Sequence, residues 1–119
     1  MAYHSSDLDH IFLALADPTR RAVLDRLTKG PASASDLAAE FDMTLQNFLA
    51  HLKKLADAGL IASEKNGRVR TCAMIPEALA PVRTWLDEQR DKWNARLDQF
   101  DAYVMNLHKE RTRGTGPKD

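Results

Sequence analysis

The 119-residue sequence predicts a single mainly α-helical domain with a small β-hairpin: four helices, two short strands and a long final helix. Three observations carry this. Capping residues stand at intervals, at Ser6, Asp17, Ser33 and Thr44, ahead of apolar residues at helical spacing. The apolar period then changes from 3.6 to two around Asn66-Gly67, the strongest short hairpin signal. After Pro76 the helical pattern resumes and runs almost to the C-terminus.

Ser6 with Asp9 makes a capping-box-like start, and Leu8, Ile11, Phe12 and Leu15 follow on one face. Asp17 puts a capping carboxylate directly before Pro18, whose missing N–H costs nothing at the first helical position. The second helix carries Val23, Leu24 and Leu27 and stops at Gly30-Pro31. Ser33 with Asp36 caps a short third helix that buries Leu37, Ala38 and Phe41. Asp42-Met43-Thr44 is a tight connection, and Thr44 or Asp42 caps a fourth helix ending at Gly59. Two helices joined by about three residues, the second ending on glycine before a strand, form a helix-turn-helix layout. The second helix of that layout docks in a DNA groove.

With Asn66 and Gly67 as the central turn residues, Lys65 faces Arg68, Ser63 faces Arg70 and Ile61 faces Cys72. Like charges directly opposite each other are destabilising by up to ~1 kcal/mol unless an anion relieves them. A phosphate would suit this hairpin tip. Pro81 fits the first turn of the final helix, along which Trp85, Leu86, Trp93, Leu97, Phe100, Val104 and Leu107 recur. From Trp93 to Leu107 the steps are four, three, four, three, a heptad-like seam that predicts pairing with a second copy of the chain.

At 44% hydrophobic and 29% charged, the chain is globular in composition. Its formal net charge is zero, but charge is segregated: residues 44–71 carry five basic against two acidic side chains, and residues 76–102 four basic against six acidic. The positive charge that a nucleic-acid partner requires is therefore concentrated in the middle. One cysteine, Cys72, can form no internal disulfide and reads as a small buried hydrophobe. No apolar run approaches the ~20 residues of a membrane span, and the N-terminus lacks the basic-then-apolar order of a secretory signal, so a cytoplasmic location and no membrane partner are expected. Catalysis is not expected either. The sequence has no nucleophile elbow or glycine-rich phosphate loop, and His4, His10, His51 and His108 fall on separate segments.

Three segments, ALADPTRRAVLDRL, SASDLAAEFDMTLQNFLAHLKKLADAGLI and EKNGRVRTCAM, resemble the winged helix-turn-helix repressors of the ArsR type, over roughly residues 7 to 107. The resemblance implies a homodimeric repressor whose two recognition helices enter successive major grooves of a pseudo-palindromic operator, about 34 Å apart, with the hairpins as wings over the flanking backbone. It also implies pairing through the first and last helices, by Leu8, Ile11, Phe12, Trp85, Trp93, Leu97, Phe100, Val104 and Leu107. The metal-sensing pattern of the family is absent: Ala34, Ser35, Asp36 and Leu37 stand where it has cysteines. On the last helix Asp98, Asp101 and His108 lack a further nearby histidine and read as a solvated face. No metal and no cofactor are expected. The domain is expected to span residues 1–119, with an ordered core over about 7–109 and a flexible tail over 110–119.

The recognition helix is unusually apolar. Phe48, Leu52 and Leu55 must face the body, which leaves Leu45 and Leu49 over; where commoner relatives have a small hydroxyl residue and a basic one, this chain has Leu49 and Ala50. Three readings stand. Leu45 or Leu49 touches a thymine methyl while Gln46 and Asn47 bond base edges, adenine being their usual partner; or Leu49 is buried by a rotated helix and only Leu45 nears DNA; or the helix has left DNA and the domain is a protein-interaction module. Thr44 is placed for a phosphate at the helix start, and His51 either donates to a phosphate or is structural. The expected recognition set is Thr44, Leu45, Gln46, Asn47, Leu49, Ala50, His51, Lys53 and Lys54; the expected wing set is Lys65, Asn66, Gly67, Arg68 and Arg70. The partners are a double-stranded DNA operator and a second copy of the chain. The residues do not name a small-molecule effector.

Overall fold

Side-chain caps fix the starts of three helices within residues 5–114, the part of the chain that the computed structural model describes. Helix α1 spans Ser5–Leu15 and α2 spans Pro18–Leu27, where the Arg20 amide donates to Asp17 Oδ2 at 3.0 Å and Pro18 occupies the first turn. Helix α3, Ala34–Ala38, starts where the Asp36 amide donates to Ser33 Oγ at 3.0 Å. Helix α4, Leu45–Asp57, is capped by Thr44 rather than Asp42: the Asn47 amide donates to Thr44 Oγ1 at 3.1 Å. Ser6 does not cap α1, because its backbone is already inside the helix.

The end of α4 is equally specified. The Leu60 amide donates to the Leu55 carbonyl and the Gly59 amide to that of Ala56, with Gly59 at φ 78°. This is a Schellman ending, which needs a left-handed residue that glycine adopts without strain, and its usual apolar contact is supplied by the fully buried Leu55 and Leu60. The ending aims the chain straight into the hairpin.

Strands β1 (Ala32–Ser33), β2 (Ile61–Asn66) and β3 (Val69–Met74) form an antiparallel sheet in the order β1-β3-β2. The expected two-stranded hairpin is thus a three-stranded sheet, because Ala32 and Ser33 pair with Cys72 and Thr71 on the free edge of β3. The hairpin register also differs from expectation, by two residues on one strand, which keeps each side chain on its expected face. Asn66 pairs with Val69, Lys65 with Arg70, Ser63 with Cys72 and Ile61 with Met74. The loop is therefore Gly67-Arg68, and Gly67 alone has positive φ, at 63°. A turn with glycine at its first central position needs one left-handed residue, whereas the expected Asn66-Gly67 loop needs two. Gly67 meets the lighter demand without strain.

The core of the unit ending at Val82 joins Val23, Leu24 and Leu27 of α2, Leu37 of α3, Phe48, Leu52 and Leu55 of α4, and Leu60, Ile61 and Cys72 of the sheet region. Phe41 packs beside Phe48 with ring centroids 5.3 Å apart. Ile11, expected on the pairing face of the first helix, is 4% exposed and belongs to this core, so it has no surface left to offer a second chain. Leu8 is half-buried and Phe12 exposed.

After a 3-10 turn at Pro76–Leu79, helix α5 runs Ala80–Gly114, with Pro81 in its first turn. It extends past Lys109, so residues 110–114 of the expected flexible tail are helical; residues 115–119 and 1–4 lie outside the described part. The portion from Arg83 onward is a second compact unit. Along it Trp85, Trp93, Leu97, Phe100, Val104 and Leu107 are all exposed. Among the described residues no helix is long and apolar enough to cross a membrane.

Candidate nucleic-acid interface

Helix α4 has one apolar face in the core and one outside. Phe48, Leu52 and Leu55 are buried, and the four-three spacing that places them there turns Leu45, Gln46, Asn47, Leu49, Ala50, Lys53 and Lys54 outward. Leu45 is 57% exposed and Leu49 40%. The helix is therefore not rotated to bury Leu49, and that reading of its apolar excess is excluded. Thr44 is exposed at the start of the same face, where the first-turn amides of a helix carry partial positive charge. Lys53 forms an exposed i,i+4 ion pair with Asp57, at 2.9 Å. Such a pair is worth only ~0.3–0.5 kcal/mol, so it holds Lys53 loosely.

His51 is the exception on this helix. Its ring is about three-quarters buried, with Nδ1 3.1 Å from Arg20 Nη1 and 3.7 Å from Asp17 Oδ2. A guanidinium can only donate, so Nδ1 accepts and the ring proton sits on Nε2. Arg20 also donates through Nε to the Ala14 carbonyl at 2.7 Å and through Nη2 to the Leu13 carbonyl at 2.9 Å. Arg21 adds a bond to the Leu15 carbonyl at 2.7 Å. One side chain, Arg20, thus ties the open C-terminal carbonyls of α1 to the middle of α4. The histidine-leucine sequence signal of His51 did not reveal this partner 31 residues away. The Arg20 amide also holds the Asp17 carboxyl below the usual carboxylate range, partly offset by burial.

In the hairpin, alternation along the strands puts Ser63, Lys65 and Arg70 on the same sheet face as the buried Ile61 and Cys72, the face turned toward α4. Lys65 and Arg70 are a directly opposed like-charge pair. Arg70 turns diagonally away and donates through Nη1 to Ser63 Oγ at 2.8 Å. Arg68, expected opposite Lys65, instead sits exposed in the loop beside Gly67. Cys72 is fully buried opposite Ser63, not Ile61; burial pushes its thiol up, with Ser63 and Arg70 acting the other way. Among the described residues no three histidine, cysteine or carboxylate side chains gather as metal ligands would, and Asp98 and Asp101 lie exposed on α5.

A family model described as a helix-turn-helix domain matches residues 15–64, from the end of α1 into β2. The HTH-type transcriptional regulator Rv2034 of Mycobacterium tuberculosis is 38% identical over 79 residues, covering 66% of this chain and 74% of that one. The transcriptional repressor SdpR of Bacillus subtilis is 34% identical over 79 residues, covering 66% and 88%. Among solved structures, an ArsR family transcriptional regulator is 52% identical with a TM-score of 0.76, covering 79% of this chain and 97% of the other. Four helices leading into an antiparallel hairpin, with an exposed face on the fourth, define a winged helix-turn-helix DNA-binding transcriptional regulator. The chain belongs to the ArsR family of these regulators.

Proposed function

We propose that the chain is a homodimeric repressor that binds a pseudo-palindromic operator, with α4 of each copy in a major groove and each hairpin along the adjacent backbone. One observation supports this above the others: an exposed helical face with Gln46 and Asn47 lies beside a hairpin whose free charges are mostly cationic. In this reading Gln46 and Asn47 bond base edges, Leu45 and Leu49 meet thymine methyls, and Ala50 leaves room for the approach. Thr44, Lys53 and Lys54 take phosphates, as do Lys65, Arg68 and Arg70, with Asn66 and Gly67 shaping the tip. His51 acts indirectly, by holding α4 against α1.

Pairing rests on the exposed seam Trp93, Leu97, Phe100, Val104 and Leu107 of α5, with Trp85, Leu8 and Phe12 contributing. Repression accords with the relative SdpR of Bacillus subtilis, a transcriptional repressor. A cytoplasmic protein without metal, cofactor or enzymatic activity completes the reading. The test is fluorescence anisotropy on a duplex bearing the protein's own promoter, with added salt. Each phosphate neutralised should contribute about −0.9 to the slope of log K against log salt. A salt-independent contact would refute the reading.

A further inference from the structure

A groove lies between α4 and the hairpin. It encloses about 330 Å³, with Leu49, Ala56 and Ile61 among its mainly apolar walls and Lys53, Ser63 and Arg70 among its polar groups. We propose that it is an effector site for a small amphiphilic carboxylate, and that occupancy releases DNA; the release step rests on the operator-binding reading above.

Two observations converge on that ligand class. A thymine methyl can use Leu49 at the rim, but a phosphodiester is polar on every side and gains nothing from the side chains of Ala56 and Ile61, so DNA alone does not account for an apolar lining. An apolar molecule alone does not account for two cations. A carboxylate carrying an aliphatic chain or aromatic ring uses both. At about 30 Å³ per non-hydrogen atom, the share water takes in the liquid, the groove has room for roughly ten such atoms. It sits at the small end of ligand sites.

Arg70 is the anchor. Its guanidinium is already held by Ser63 Oγ at 2.8 Å, which leaves its other donors for a carboxylate, and it is oriented before the ligand arrives. Lys53 is shared with Asp57 at 2.9 Å, so an entering anion must draw it off that partner, and Lys53 contributes less. Competition with DNA follows from the shared cations: a carboxylate on Arg70 removes a charge that a phosphate would use. The coupling is reciprocal, and the operator should weaken carboxylate binding by the same factor.

The probe is potassium octanoate, titrated calorimetrically into the full-length protein below its micellar range, beside hexanoate, acetate and 1-octanol. Octanoate is expected to bind, hexanoate roughly tenfold more weakly for its two missing methylenes, acetate not measurably, and the uncharged alcohol more weakly than the acid. Ala56→Leu fills the groove without touching a cation. It should abolish octanoate binding yet keep operator affinity, with Ala56→Met as a second filler should the leucine variant melt early. Octanoate should weaken operator binding at least tenfold in the native chain and leave it unchanged in the filled variants. Absence of heat from octanoate and from 1-naphthoate at several millimolar, or equal binding by a well-folded filled variant, overturns the site. Binding without any change in operator affinity overturns the release step. Failure to bind the operator with no carboxylate present counts against the repressor reading alone, because the calorimetric titration contains no DNA.

Discussion

At the residue scale, Arg20 links helices that are distant in sequence. It bonds two carbonyls of α1 and the ring of His51, so three separate segments share one guanidinium. A lysine has the charge but not the fork. Arg20→Lys should therefore lower stability by about 2 kcal/mol, the loss of one or two hydrogen bonds to a charged group, read as a lower urea midpoint by circular dichroism. An unchanged midpoint would mean that the network is ornamental. Asp17 predicts a pH effect of definite sign. Its carboxyl is held lower in the folded chain than in the unfolded one, so its contribution is complete above the unfolded value near 4 and is lost as pH falls through the folded one. Asp17→Asn, which can still cap α2, should flatten the acid side of the stability profile between pH 5 and pH 2 while changing little at neutral pH. Urea midpoints across that range check it.

At the scale of elements, the helix starts were legible in the sequence because a cap is a local device: Asp17, Ser33 and Thr44 each act on an amide three residues away. The hairpin was legible as a hairpin but not in its register. Asn66-Gly67 and Gly67-Arg68 are both acceptable two-residue loops, and since the two registers differ by two residues, both put Ile61 and Cys72 on the same face, so the hydrophobic pattern does not choose between them. Strand β1 has only two residues and no period to read; it exists because β3 has an edge to satisfy. The outward face of α4 was legible from spacing except at Leu49, which spacing left either outward or buried, and the attachment of His51 was not, since its partner lies on another helix.

A Cβ at Gly67 would meet no atom within 4 Å, so Gly67→Ala should cost only backbone strain, about 1 kcal/mol, while Gly67→Asn costs less; thermal melts of the two variants compare them. In binding, Arg68→Ala and Arg70→Ala should each weaken affinity for all duplexes and flatten the salt slope by about 0.9, whereas Gln46→Ala should relax preference at one base pair by ~1–3 kcal/mol. Selection from a random pool distinguishes them: Gln46→Ala should change the selected motif and the arginine variants should not.

At the scale of the whole molecule, the account turns on pairing. The four-three-four-three seam from Trp93 to Leu107 leaves five large apolar side chains exposed in a single chain, which a water-facing helix has no reason to carry. Val104→Asp should leave helicity intact, because the residue is 44% exposed, yet shift the sedimenting species from two chains to one and weaken operator binding by well over tenfold. Ile11, by contrast, cannot be altered to test pairing, because it is core. Loss of two-site binding in a monomer follows from the proposed geometry: one α4 face would read one half-site, and specificity over a pseudo-palindrome would need both held at fixed separation. Hydroxyl-radical footprinting on the protein's own promoter measures that separation directly. Two protected patches with centres about 10.5 base pairs apart, or a whole multiple of that, are predicted; a single patch, or protection that moves with the fragment end, would contradict the account.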